Sequence, residues 1–253
     1  MAPVRGTRQA LAFLTRLPGG AHPEEPTDLA AAVPWFPVVG VLVGALVAAL
    51  DVALAQVLPP LTAATLAVGF SALVTGGFHE DGFADSLDAL SGGRDRAHRL
   101  EILKDSRHGT FGVLGLVVLT LVKVSALAEL DGWQAGAALV AAGALGRAGA
   151  VGVMGVVPAA TGTGLGASYL EGLSSQQVAL GLGLGLIAGT LALGPIVLPA
   201  VAVVAAGSAL VSVWARRRIG GISGDLLGAV EQVGECGVLV LLAALAPRAL
   251  WFT

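Results

Sequence analysis

Four acidic residues crowd into the run His79-Glu80-Asp81-Gly82-Phe83-Ala84-Asp85-Ser86-Leu87-Asp88. On a helix, Asp81, Asp85 and Asp88 fall at i, i+4 and i+7, which stacks three carboxylates along one face. Helix stability does not favour this, because like charges at that spacing repel by roughly 0.2–0.5 kcal/mol per exposed pair. The repulsion grows where the dielectric falls. A hard divalent cation removes the conflict. Oxygen ligands suit Mg²⁺, which keeps positions open for the phosphates of a substrate. Asp81, Asp85 and Asp88, with the adjoining Glu80, are therefore candidate metal ligands, and the first three are candidate catalytic residues; the plainer alternative is a solvated acidic helix end. His79 beside them is a candidate general acid or base because its pKa is readily moved, and its plainer reading is a hydrogen-bonded neighbour.

The surrounding segment 79–110 holds seven of the 17 acidic residues, and it is basic too, with Arg94, Arg96, Arg99, Lys104 and Arg107. Arginines grip phosphate oxygens in pairs and lysine acts as a point charge. Lys104-Asp105-Ser106-Arg107 is the subset singled out for substrate binding, although each basic residue serves equally well as a topology signal. His98 and His108 carry less weight. In a second segment, 216–235, Asp225 reads either as a further ligand or as the N-cap of the last helix. Glu231 and Glu235 read as charges at the mouth of that helix, and Asp51, Lys123 and Arg147 are further intramembrane candidates.

These groups have to be positioned by a membrane protein. Of 253 residues, 55% are hydrophobic and 12% charged, about half the charge of a soluble domain, which excludes a soluble enzyme. The net charge of −3 excludes a general nucleic-acid binder. The lone Cys236 leaves no internal disulfide framework. A bilayer core needs about 20 apolar residues per helix. Runs at 35–57, 61–78, 111–130, 135–157, 178–193, 196–215 and 233–252 predict an all-α polytopic bundle of about seven spans, with a break at Gly194-Pro195. Residues 5–17, with Leu11, Phe13, Leu14 and Leu17 among arginines, predict an amphipathic interfacial helix, and no cleaved export segment is expected. The chain reads as one membrane-embedded catalytic domain, 1–253. Eleven of the 14 Lys and Arg residues fall on one side of seven crossings. That side, with the N-terminus and the loops 79–110, 158–177 and 216–232, is expected to be cytoplasmic and the C-terminus outside the cell membrane. The glycine-rich stretch Thr161–Gly166 lacks the Gly-Lys-Ser/Thr ending of a phosphate loop and reads as a membrane-edge loop.

Residues Gly76–Ala89 and Glu101–Gly112, with Phe13–Pro18 and Gly220–Ala229, resemble the motifs of the cobalamin synthase family, the adenosylcobinamide-GDP ribazoletransferases. The likeness runs in order along most of the chain. Ala89 stands where a second glycine is expected, and Ser223 where threonine is common. The resemblance implies an Mg²⁺-dependent membrane transferase that joins adenosylcobinamide-GDP to α-ribazole or its 5′-phosphate and releases GMP. It makes Arg16, Lys104, Asp105, Ser106, Arg107 and Asp225 substrate-binding candidates. Its partners are those substrates, the lipid bilayer and, among proteins, other enzymes of cobalamin assembly; glycine-rich spans also allow an oligomer.

Two other readings compete. Asp81-Gly82 and Ala84 copy the start of a CDP-alcohol phosphotransferase signature, but Asp85 replaces its arginine and the later aspartates are absent. A transporter would pair charges across spans at mid-membrane, whereas the dense carboxylates here lie at the membrane edge.

Overall fold

The computed structural model describes residues 2–18, 29–105, 107–162, 167 and 170–246, and among these the chain is helical throughout apart from its connections. Helix α1 (Ala2–Leu14) is followed by α2 (Leu29–Ala32), α3 (Phe36–Leu54), α4 (Pro60–Thr75), α5 (Phe78–Leu87), α6 (Arg96–Ile102), α7 (Thr110–Ala128), α8 (Gly132–Val156), α9 (Ser175–Leu193), α10 (Val197–Ile219) and α11 (Gly224–Leu245). Among the described residues, five helical stretches are long and apolar enough to cross a bilayer, or six if α4 and the bent helix after it form one span.

The difference from seven has two physical sources. Residues Ser175–Ile219 form one 45-residue helical stretch, about twice the length a crossing needs. It is interrupted at Gly194, whose φ of 55° and ψ of −134° break the helix where the sequence places the break. Val197 lies against Gly189 beyond that break, so α9 and α10 turn back on each other. Helix α4, by contrast, has only 16 residues. It ends at Gly76 and Gly77, both with φ near +70°, a conformation that glycine adopts without strain. The chain then turns by 94° into α5. The carboxylate-bearing helix is thus a separate element set across the end of α4, and not the continuation of a span from 61 to 78.

At the centre is α8, whose buried face is built of Ala138, Ala141, Ala142, Ala144 and Ala148. Small residues let helix backbones approach where lipid supplies no hydrophobic drive. On α3, Gly40 and Gly44 are spaced i, i+4 and press on the backbone of α8 at Gly143 and Leu139. On α9, Gly185 and Gly189 make room for the side chains of Ala148 and Leu145. Gly40→Ala is expected to cost about 1–3 kcal/mol, the usual penalty of overpacking, since its Cβ would meet main chain that has no room to move. Thermal unfolding in detergent checks this.

Helix α11 starts nine residues before the expected span at 233. Ser223 caps it, its hydroxyl accepting from the Leu226 amide at 3.3 Å, so the cap is Ser223 and not Asp225. This places Glu231 and Glu235 inside the helix and not at its mouth. Helix α1 docks on the bundle, with Ala10 and Leu14 buried and Phe13 packed on Phe36 and edge-on to Phe78.

Candidate active site

Helix α5 has two faces with different partners. His79, Gly82 and Ser86 are turned inward, and Gly82 lets the backbone of α11 at Asp225 come so close that a Cβ would sit 2.8 Å from the Asp225 carbonyl. Gly228 offers the matching gap to His79. Asp81 and Asp85 point the other way. His108, from the loop before α7, completes a cluster with them: its Nε2 is 3.6 Å from Asp81 Oδ1 and its Nδ1 3.3 Å from Asp85 Oδ1. One ligand atom from each of the three residues falls within 4.8 Å of the others. The two carboxylates, on a partly open surface with the imidazole beside them, fit a divalent cation, their oxygens matching Mg²⁺ or Mn²⁺. The carboxylate of Asp225 also lies near enough to act electrostatically on Asp85.

Asp88 is not part of this cluster. It begins a π-helical turn, Asp88–Gly92, that ends α5. Its carboxylate is buried and accepts from the amides of Gly109 at 2.6 Å and Gly112 at 2.9 Å. Both oxygens are therefore occupied in anchoring the start of α7, and glycine is needed at 109 and 112 because Asp88 fills the space a side chain would take. Asp88 is still helical, its amide donating to the Ala84 carbonyl, but its carboxylate is taken up by the start of α7 and not by the cluster. Asp88→Ala is expected to lose about 1.5–3 kcal/mol of stability, as for hydrogen bonds to a charged group, while Mn²⁺ titration of the remaining cluster stays as in the parent.

Asp81 and His108 open onto a cleft of about 780 Å³ that is also lined by Arg16, Glu80, Thr75 and the Gly76-Gly77 turn. Arg16 is held there by its own backbone, whose amide donates to the Val74 carbonyl at 2.8 Å. A guanidinium and carboxylates thus share one cleft at the end of the bundle where α4 meets α5.

The remaining candidates divide. Lys104 is exposed on the turn after α6. Arg107 pairs locally with Asp105, Nη2 to Oδ2 at 2.6 Å, and this guanidinium holds the Asp105 carboxyl down to about 2. Ser106 lies outside the described residues, as does most of the stretch Thr161–Gly166. Arg96 serves the architecture, donating to the carbonyls of Ile219 and Ala160 at 2.9 and 2.8 Å and so stapling the loops after α8 and α10. Arg99 is buried. His79 lies away from the open cluster, 5% exposed, with Nδ1 3.5 Å from Glu231 Oε2. The histidine at the cluster is His108. It follows Arg107 in a segment already singled out for phosphate contacts, and only the return of the chain from α6 to α7 brings it onto α5.

Compared with known proteins, residues 6–243 match the family model of cobalamin-5-phosphate synthase. The chain belongs to that family. It is 41% identical over 243 residues to an adenosylcobinamide-GDP ribazoletransferase of Bradyrhizobium diazoefficiens, covering 94% of this chain and 92% of the relative. Proteins of the same name from Geotalea daltonii and Brucella ovis are 37% and 39% identical, covering 87% and 92% of this chain and 89% and 94% of theirs. No solved structure matches. Membership in the cobalamin-5-phosphate synthase family favours neither the CDP-alcohol phosphotransferase nor the transporter reading. Charges paired across helices deep in the bundle, the mark expected of a transporter, are nevertheless present: Arg147 meets Glu231 at 2.8 Å and Lys123 meets Glu235 at 2.5 Å. Lys123 does not snorkel to the surface; it is 5% exposed.

Proposed function

We propose that this chain is an Mg²⁺-dependent transferase that joins adenosylcobinamide-GDP to α-ribazole or its 5′-phosphate, releasing GMP, in the late assembly of the cobalamin nucleotide loop. The observation that carries this reading beyond family membership is the cleft itself, where Arg16 faces Asp81, His108 and Glu80. A diphosphate needs both signs of charge around it: guanidinium for its oxygens, and carboxylates to hold a cation that neutralises the rest.

In this reading Asp81 and Asp85 hold Mg²⁺, with His108 beside them. When bound, the ion supplies charge neutralisation to the diphosphate and to the departing GMP. A ribose hydroxyl of α-ribazole attacks the phosphorus attached to the corrinoid; the new P–O bond forms as the bond to the GMP oxygen breaks. His108 accepts the hydroxyl proton, being the one imidazole on the open cluster among the described residues. Arg16 fixes the diphosphate, and Lys104 and Arg107 approach it from the exposed loop. The cleft encloses the diphosphate and the sugar next to it, and the corrinoid extends beyond. The enzyme sits in the cell membrane with its N-terminus and this cleft in the cytoplasm and its C-terminus outside.

The test uses purified protein in lipid with adenosylcobinamide-GDP, α-ribazole 5′-phosphate and Mg²⁺. GMP and the joined product are expected together, and EDTA should abolish both. Product formed equally well in EDTA would remove the cation from the reaction, and no product from folded protein would remove the substrate assignment.

A further inference from the structure

A second cavity, of about 560 Å³, lies between α8, α9 and α10 and shares no lining residue with the cleft. Its walls are almost wholly alanine, glycine, leucine and valine. Leu182, Leu186, Val201 and Val213, which line it, are also on the outer surface of the bundle. The cavity is therefore a groove that opens sideways, at the level of the spans.

Only three polar side chains line this groove, and all come from α10: Ser208, Ser212 and Arg216. Their i, i+4, i+8 spacing puts them on one helical face, successive residues about 6 Å apart. A hydroxyl in a membrane helix can donate to the carbonyl four residues back, as Thr65, Ser125 and Thr190 do at 2.7, 2.8 and 2.8 Å. Ser208 and Ser212 do not. They are only 7% and 8% exposed, and neither hydroxyl has a hydrogen-bond partner among the described residues. A Cβ at Gly149 would lie 2.9 Å from Ser208 Oγ, so that hydroxyl faces across the groove to α8. A donor in so apolar a place is costly without an acceptor. Arg216 stands exposed in the last turn of α10 with Arg217 and Arg218, and among the described residues none of the three is in an ion pair.

We propose that this groove binds one anionic phospholipid, its phosphate on Arg216, its ester carbonyls on Ser212 and Ser208, and an acyl chain against the alanine, leucine and valine walls. The order of groups along α10 is the order of groups along the lipid. A guanidinium at the membrane edge pairs with phosphate, and basic clusters there attract anionic headgroups. One turn deeper, two hydroxyl donors meet esters, which are acceptors only. The helix of a second protein copy has its carbonyls engaged in its own ladder, so it satisfies these hydroxyls less well than an ester does. The reaction site lies elsewhere, since Asp81, His108 and Arg16 line the cleft and not this groove.

The experiment is native mass spectrometry of the full-length protein, delipidated in detergent and titrated with dioleoyl phosphatidylglycerol or, in parallel, dioleoyl phosphatidylcholine. One phosphatidylglycerol should stay bound, more tightly than phosphatidylcholine. Arg216→Gln should weaken it by about 10- to 100-fold, as for a lost hydrogen bond between charged groups. Arg217→Gln removes the same charge from the same turn but does not line the groove, and should cost no more than about 5-fold. Ser212→Ala should weaken both lipids alike, by about 2- to 10-fold. Ala205→Phe, which fills the groove from an exposed position, should abolish retention of either lipid. Equal losses in the Arg216 and Arg217 variants mean that surface charge alone holds the headgroup, and overturn the proposal. So does phosphatidylglycerol retained by Ala205→Phe. A dimer that Ala205→Phe breaks, with no lipid retained by the parent, gives the groove to a second copy and also overturns it. Displacement of the lipid by α-ribazole 5′-phosphate would make the groove a substrate subsite instead. Arg216 and Arg217 are both exposed, so their comparison stands even if Ala205→Phe does not fold.

Discussion

Asp85→Asn should reduce transfer by about 100- to 1,000-fold while the protein inserts and folds as the parent does. The substitution keeps the shape of the side chain and removes its charge, so the packing of α5 on α11 through Gly82 and Gly228 is untouched. What it removes is one of two carboxylates that lie with His108 in a cluster whose ligand atoms are within 4.8 Å of one another. Charge neutralisation by a metal is worth several kcal/mol in a transition state, and each 1.36 kcal/mol is a factor of ten in rate. The assay is GMP release at saturating substrates over a range of Mg²⁺, with Mn²⁺ titration as an independent readout of the site. Loss of activity with Mn²⁺ affinity intact would assign Asp85 to the substrate and not to the cation. Full activity would remove it from the site. Set beside Asp88→Ala, which should lose stability and keep Mn²⁺ binding, the pair separates the ligand from the anchor on what looks in the sequence like one acidic stripe.

That stripe shows where sequence reasoning works here and where it stops. The i, i+4 spacing of Asp81 and Asp85 survives because α5 is regular over those residues. It stops at Asp88 because that carboxylate accepts from the amides of Gly109 and Gly112, a long-range contact that leaves no mark in local spacing. The break at Gly194-Pro195 is legible because both residues disfavour a continuous helix. The break at Gly76-Gly77 is not, since glycine is also common inside membrane helices. His108 is hidden for a different reason. Its place depends on how the segment between α5 and α7 folds back, and α6 is held by contacts far apart in the chain, such as Arg96 to Ile219 and Ala160. The acidic pair Glu231 and Glu235 is visible in the sequence, but its depth is not: it depends on Ser223 capping α11 nine residues ahead of the apolar run. Local pattern predicts which residues are unusual, and long-range packing decides which of them meet.

The depth of that pair also sets the largest expected effect on stability. Arg147→Met should destabilise the protein by about 3–5 kcal/mol, the cost of leaving a buried charge without its partner. Arg147 is 2% exposed and Glu231 fully buried, so water cannot reach the stranded carboxylate in the folded state. The Arg147 guanidinium also donates to the Gly143 carbonyl at 3.0 Å, next to the point where α3 crosses α8 at Gly40. The loss therefore falls on the central helix and its tightest contact together. A further change, Glu231→Leu, should recover most of the stability, because a buried pair replaced by apolar side chains is often neutral. Cys236, the lone thiol of the chain, gives the measurement. It is half-buried beside Glu235, and its reaction with a thiol-sensitive dye during heating in detergent reports the opening of α11. A midpoint for Arg147→Met close to that of the parent would mean that Glu231 finds another partner or takes up a proton. If the double variant melts no higher than the single, the pair is needed for more than its own neutralisation.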